Sequence, residues 1–133
     1  MSSSEKSRRQ LVLVDRCIPA RVGAALTHFG YDYATLADWY QEPEQVDDVV
    51  WIRDSADRGA VVLTQNFRIA KVEHEVAAIQ TYGARVMSYN RADLTAELKS
   101  MMLGRHLQTL RRLSDHRGPA FWRINGQDNT KLI

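Results

Sequence analysis

A single cysteine, Cys17, excludes an internal disulfide and any site built from several thiolates. The four histidines, His28, His74, His106 and His116, are scattered without the spacing of a zinc cluster. No apolar run approaches the ~20 residues that a membrane helix needs; Leu11 to Val14 and Ala60 to Leu63 are among the longest. Charge of one sign is also missing. Eighteen basic against sixteen acidic residues leave a net charge of +2, too little to announce nucleic acid unless the basic residues cluster. Phosphate-loop, dinucleotide-binding, nucleophile-elbow and His-Glu-x-x-His patterns are absent, as are internal repeats and low-complexity tracts.

What is present is ordinary globular material, with 44% hydrophobic and 26% charged residues in 133, enough for one core. Residues 1–10 are Ser-rich and charged with no apolar region before a cleavage site, which predicts a flexible N-terminal arm and a cytoplasmic location. Residues 11–133 form the expected single domain.

Short apolar runs alternate with helical patterns. Leu11 to Val14 predicts a strand ending at Asp15, and Pro19 opens a helix whose apolar positions are Val22, Ala25, Leu26 and Phe29, stopped by Gly30. Tyr31 to Leu36 predicts a second strand. A helix carrying Val46, Val49, Val50, Ile52 and Ala56 closes at Gly59. Ala60 to Thr64 has the continuous apolar character of a central strand buried on both faces. A helix over Glu73 to Tyr82 and a strand over Ala84 to Tyr89 follow. Asp93 is placed to cap a long amphipathic stretch to about Leu113, which Gly104 kinks or splits, and Pro119 to Asn125 predicts a last strand before a polar tail. Such alternation implies right-handed crossovers and a three-layer α/β/α sandwich around a mainly parallel sheet.

In open parallel sheets the working site lies outside the carboxyl ends of the strands. Asp15 follows the first strand, and Thr64, Gln65 and Asn66 follow the third; Asp48 lies on the helix between. Converging Asp15, Asp48 and Asn66 would present the hard oxygen donors that Mg²⁺ or Mn²⁺ prefers, a chemistry suited to phosphodiester cleavage. An Asp after a strand is as readily a turn or cap residue.

These residues, in this order, resemble the PIN-like nucleases, in particular the short branch with VapC-type toxins. The resemblance rests on LVLVDRCIPARVGAALTHFGYDY, on DDVVWIRDSADRGAVVLTQNFRIAKVEHEVAAI and on GPAFWRIN, and runs from Leu11 to Asn125. It implies that Asp15 and Asp48 are metal-binding acids and that Asn66 stands where the family has the Asp of Thr-x-Asp. An Asn keeps one oxygen donor but loses a charge and a base. A naturally weakened member and a deliberately silenced one are both open. Thr64 matches the family's Thr, placed to orient a water. Glu75 matches an acid in the following helix, and is expected to pair with Arg68 or Lys71.

The implied activity is a Mg²⁺- or Mn²⁺-dependent endoribonuclease, the toxin of a type II toxin–antitoxin pair, with RNA as substrate and a small antitoxin as partner. A homodimer is left open. Arg16, Arg68 and Lys71 are candidate RNA contacts, within a basic second half that includes Arg85, Arg91, Lys99, Arg111, Arg112 and Arg123. Trp39, Tyr40 and Trp51 are candidate stacking surfaces. The alternative is a non-catalytic PIN-like module that binds RNA or protein, which Asn66 favours. Cys17 lacks a neighbouring base and is expected to pack rather than react.

Overall fold

The structure, a computed structural model, describes residues 9–16 and 18–133. Cys17 and most of the expected N-terminal arm lie outside the described residues. Of that arm, Arg9 donates to the carbonyls of Thr27 and Gly30, and the Gln10 amide donates to the carbonyl of Gly59.

Six strands form one sheet: β1 (Leu11–Val14), β2 (Asp32–Thr35), β3 (Val61–Thr64), β4 (Arg85–Tyr89), β5 (Ala120–Ile124) and β6 (Asn129–Lys131). Their spatial order is β2-β1-β3-β4-β5-β6; the first five are parallel and β6 runs antiparallel to β5. The helices are α1 (Ala20–His28), α2 (Leu36–Trp39), α3 (Asp48–Asp57), α4 (Glu73–Tyr82), α5 (Ala96–Arg105) and α6 (Leu107–Asp115), with short 3₁₀ turns at Pro43–Gln45 and Phe67–Lys71.

The sandwich follows from how the strands divide their side chains. Val12, Val14, Val61, Leu63, Met87 and Tyr89 face α1, α5 and α6, where they meet Val22, Leu26, Leu103 and Leu110. Leu13, Val62, Val86 and Phe121 face the opposite layer, where Trp51, Ile52, Ile69 and Ile79 cover them. Period-two alternation thus feeds two apolar layers from one sheet. All four residues of β3 are buried, as its unbroken apolar run requires. The half-buried Arg85 ties the opposite end of the sheet together, donating to the carbonyls of Leu113, Ser114, His116 and Gly59.

Several boundaries differ from the sequence reading. β2 stops at Thr35, because the Thr35 and Asp38 side chains exchange hydrogen bonds with each other's backbone N–H and so start α2. Val46 precedes α3 rather than belonging to it. The long C-terminal amphipathic stretch is two helices, broken at His106, whose ring is buried against the Asn125 carbonyl. Asp93 does not cap the first of them. Its carboxylate takes both donors of Arg91, and the Thr95 hydroxyl oxygen accepts from Leu98 N instead. The polar tail forms β6, which the Asn125 side chain initiates by accepting from the backbone N–H groups of Gln127 and Asp128. Among the described residues no helix is long and apolar enough to cross a membrane.

Candidate active site

The order of β2-β1-β3 makes the gap between the carboxyl ends of β1 and β3 a topological switch point, since the chain leaves these neighbours in opposite directions. A cavity of about 690 Å³ opens there, lined by Asp15, Arg16, Asp48, Gln65, Asn66, Phe67, Arg68, Asn90, Arg91 and Ala92. A second of about 430 Å³ adjoins it, sharing Arg16 and Asp48 and adding Glu44, Asp47, His74 and Glu75.

Asp15 is fixed from three sides. Its backbone N–H continues the ladder to the Leu63 carbonyl at 3.0 Å. Oδ2 accepts from the Thr64 hydroxyl at 2.7 Å, and Oδ1 accepts from the Arg16 backbone N–H at 2.7 Å. Thr64 is fully buried, and its hydroxyl oxygen also accepts from Asn66 N at 3.0 Å, so one side chain sets both the acid on β1 and the turn after β3. Its hydroxyl is therefore spent on Asp15 rather than aimed at a water.

Asp48 is the first residue of α3. The buried Trp51 indole donates to Asp48 Oδ1 at 2.9 Å, one helical turn on. Arg16 holds the approach to that helix, its guanidinium donating to the Val46 carbonyl at 2.8 Å and the Glu44 carbonyl at 3.3 Å. Arg16 Nε lies 3.9 Å from Asp15 Oδ1, and the side chain lines both cavities.

Glu75 forms no ion pair with Arg68 or Lys71. It projects from α4 against Asp48, with Oε2 buried and without a hydrogen-bond partner. Burial and the hydrogen bond and charge of Asp48 raise its carboxyl from the ordinary 4.5 to about 7. Asn66 is exposed and lines the same cavity as Asp15 and Asp48. The structure thus gathers Asp15, Asp48 and Asn66 around one opening, with Thr64 buried behind Asp15 and Glu75 behind Asp48. Among the described residues no cluster of three or more His, Cys, Asp or Glu side chains is close enough to hold a metal ion.

A family model described as a PIN-like domain matches residues 11–91, from the start of β1 to just beyond β4. The chain belongs to the PIN-like domain family. No curated protein and no solved structure matches it. PIN-like domains are generally nucleases, and membership assigns this one to nuclease-type or nucleic-acid-binding function. The matched span contains every element that carries a candidate acid.

Other basic and aromatic candidates have structural employment in this PIN-like domain. Lys99 is buried and donates to the Gln65 side chain at 2.7 Å and the Ala92 carbonyl at 3.3 Å. Arg91 pairs with Asp93, and Arg85 clamps helix ends. Trp51 is buried under Asp48, Arg58 lies over Trp39 at 4.1 Å, and the Tyr40 hydroxyl bonds to Asp54, so none of the three aromatics is a free stacking face. Phe67 was not among the expected aromatics although it directly follows Asn66. Its position beside a carboxyl-end turn was the available signal.

Proposed function

We propose that this PIN-like domain is a metal-dependent endoribonuclease whose centre is Asp15 and Asp48, supported by Glu75. The observation that carries this reading is the crowding of Glu75 against Asp48, with an unpartnered buried oxygen, at the edge of a cavity that Asp15 also lines. Two carboxyls pressed together destabilise each other's charge, and a cation between or beside them removes that cost.

The donor set suits Mg²⁺ or Mn²⁺. Hard carboxylate oxygens are available without thiolate or an imidazole cluster, and Mg²⁺ accepts one or two carboxylates while keeping several waters. Asp15 and Asp48 would hold it, Glu75 would support Asp48, and Asn66 would offer a neutral amide oxygen. When bound, the cation neutralises charge developing on phosphate oxygens and lowers the pKa of a water for attack. Thr64 keeps the Asp15 carboxylate aimed, and the Trp51 indole does the same for Asp48. Arg16 holds the segment before α3, so that the two acids keep a constant separation.

Asn66 favours a second reading, a non-catalytic module that binds RNA or protein, because a neutral side chain stands where the resemblance places an acid. The toxin role, with a small antitoxin covering the cavity, follows the resemblance to the VapC-type branch and forms part of the proposal. A cleavage time course on labelled RNAs, with Mn²⁺, Mg²⁺ or chelator, tests the function. The expected result is metal-dependent cutting that rises with Asn66→Asp and disappears when Asp15→Ala is added. Inert protein in every arm, with RNA binding indifferent to metal, supports the module instead.

A further inference from the structure

Lys99 is 2% exposed on α5, beyond the residues that the PIN-like family model matches. A lysine is rarely so buried unless hydrogen bonds hold its ammonium, and here they do. Nζ donates to Gln65 Oε1 at 2.7 Å, in the turn after β3, and to the Ala92 carbonyl at 3.3 Å, in the loop after β4. The Lys99 backbone carbonyl accepts from the buried Tyr89 hydroxyl at 2.8 Å, so β4 fixes the helix at that residue. Gln65 and Ala92 both line the cavity that holds Asp15 and Asp48, whereas Lys99 does not. The ammonium therefore grips two walls of the cavity from behind.

That grip decides how the Gln65 amide is turned. An ammonium only donates, so the side of the amide facing Lys99 is its oxygen, and the NH₂ group lies on the other side. Among the described residues Nε2 has no protein acceptor. The nearby acids do not use it: Asp15 accepts from Thr64 and the Arg16 backbone N–H, and Asp48 from the Trp51 indole. Arg16 and Arg91 line the same cavity, but their guanidiniums are engaged by the Val46 and Glu44 carbonyls and by the Asp93 carboxylate.

We propose that Lys99 is a positioning residue that turns the Gln65 amide so that its Nε2 donors hold a phosphodiester oxygen in the cavity beside Asp15. The proposal rests on the nuclease reading for the identity of that oxygen. A donor fixed in advance needs no reorganisation when negative charge develops opposite it, which is where such a group contributes most. An amide also suits this place better than a cation would. It lowers the repulsion between an incoming phosphate and the two acids without competing for the carboxylates that a divalent ion requires.

NMR of the ¹⁵N-labelled full chain in Mg²⁺ tests the pair, with dimethyl phosphate as a probe that carries the phosphodiester group without base or sugar. In the wild type the Gln65 side-chain amide, assigned through bonds, should be as ordered as the backbone and should shift saturably as the probe is added. Lys99→Met, confirmed as folded by circular dichroism, should make that amide mobile and abolish its response. In RNA cleavage with Mn²⁺, Gln65→Leu should lower kcat about 100-fold with KM within about twofold, and Lys99→Met should lower kcat about tenfold. Added to Gln65→Leu, Lys99→Met should lower kcat no further, because it acts only through the amide. A mobile amide in the wild type, an amide unmoved by dimethyl phosphate, or a Lys99→Met loss that persists in full beside Gln65→Leu overturns the proposal. The two readings fail separately. Cutting by the wild type that Gln65→Leu leaves unchanged removes only the oriented donor, whereas an ordered, responsive amide in a chain that cuts no RNA removes only the nuclease.

Discussion

Replacing Glu75 by Gln should stabilise the metal-free protein at alkaline pH and leave it unchanged in acid. Glu75 is raised from 4.5 to about 7, first by burial and then by the Asp48 carboxyl. Below pH 4.5 the group is protonated in both the folded and the unfolded chain, so it adds no penalty. Between 4.5 and about 7 the unfolded chain releases the proton that the folded one retains, and stability falls as pH rises until the folded group also ionises. Each pKa unit corresponds to about 1.4 kcal/mol. Water on the open side of the cavity screens the pair, which reduces the net cost to ~1–2 kcal/mol. Glu75→Gln keeps the shape and a hydrogen bond for Asp48 while removing the charge. Urea denaturation followed by tryptophan fluorescence in chelator, from pH 4 to 8.5, should show the variant gaining ~1–2 kcal/mol at the top of the range and nothing at the bottom. Mn²⁺ should then stabilise the wild type more than the variant at pH 8. A difference between the proteins that is flat with pH, or a variant less stable at pH 8, would mean that Glu75 carries no charge penalty in the folded chain.

Other positions give separate tests. Thr64→Val removes the donor to Asp15 and the acceptor for Asn66 N; it should cost ~1–3 kcal/mol by thermal unfolding and lower RNA cleavage, while Thr64→Ser restores both. Trp51→Phe deletes the indole donor to Asp48 and should weaken Mn²⁺ binding about tenfold in a calorimetric titration, with cleavage falling at limiting metal. Arg85→Met strips the donors from four carbonyls at the opposite end of the sheet. It should destabilise by ~2–4 kcal/mol without changing cleavage measured well below the melting temperature.

Where the pattern of side chains decides the structure locally, the sequence was enough. The apolar run at Ala60 to Thr64 has the character of a strand covered on both faces and is one over Val61–Thr64, and the helix from Glu73 to Tyr82 ends where Gly83 adopts φ 74°. The switch-point rule likewise pointed to Asp15 and Asn66, which line one opening. What stayed hidden depends on contacts distant in sequence. Glu75 could pair with Arg68 or Lys71 by spacing, but packing of α4 on α3 turns it toward Asp48. Arg16 and Lys99 looked like surface cations, and only the folded chain shows their donors consumed by Val46, Glu44, Gln65 and Ala92. β6 has a polar, wholly exposed sequence and no periodic signal; its pairing with β5 follows from the turn made by Asn125.

In the proposed function Asp15 and Asp48, backed by Glu75, form a divalent-cation site. Titration of the purified chain with Mn²⁺, followed by electron paramagnetic resonance of the free ion, tests it without recourse to a substrate. The expected result is saturable binding that Mg²⁺ competes away, weakened by Asp15→Ala and strongly reduced by Asp48→Ala, with both variants still folded. Mn²⁺ that stays free at millimolar concentration, or binding that survives both substitutions, contradicts it.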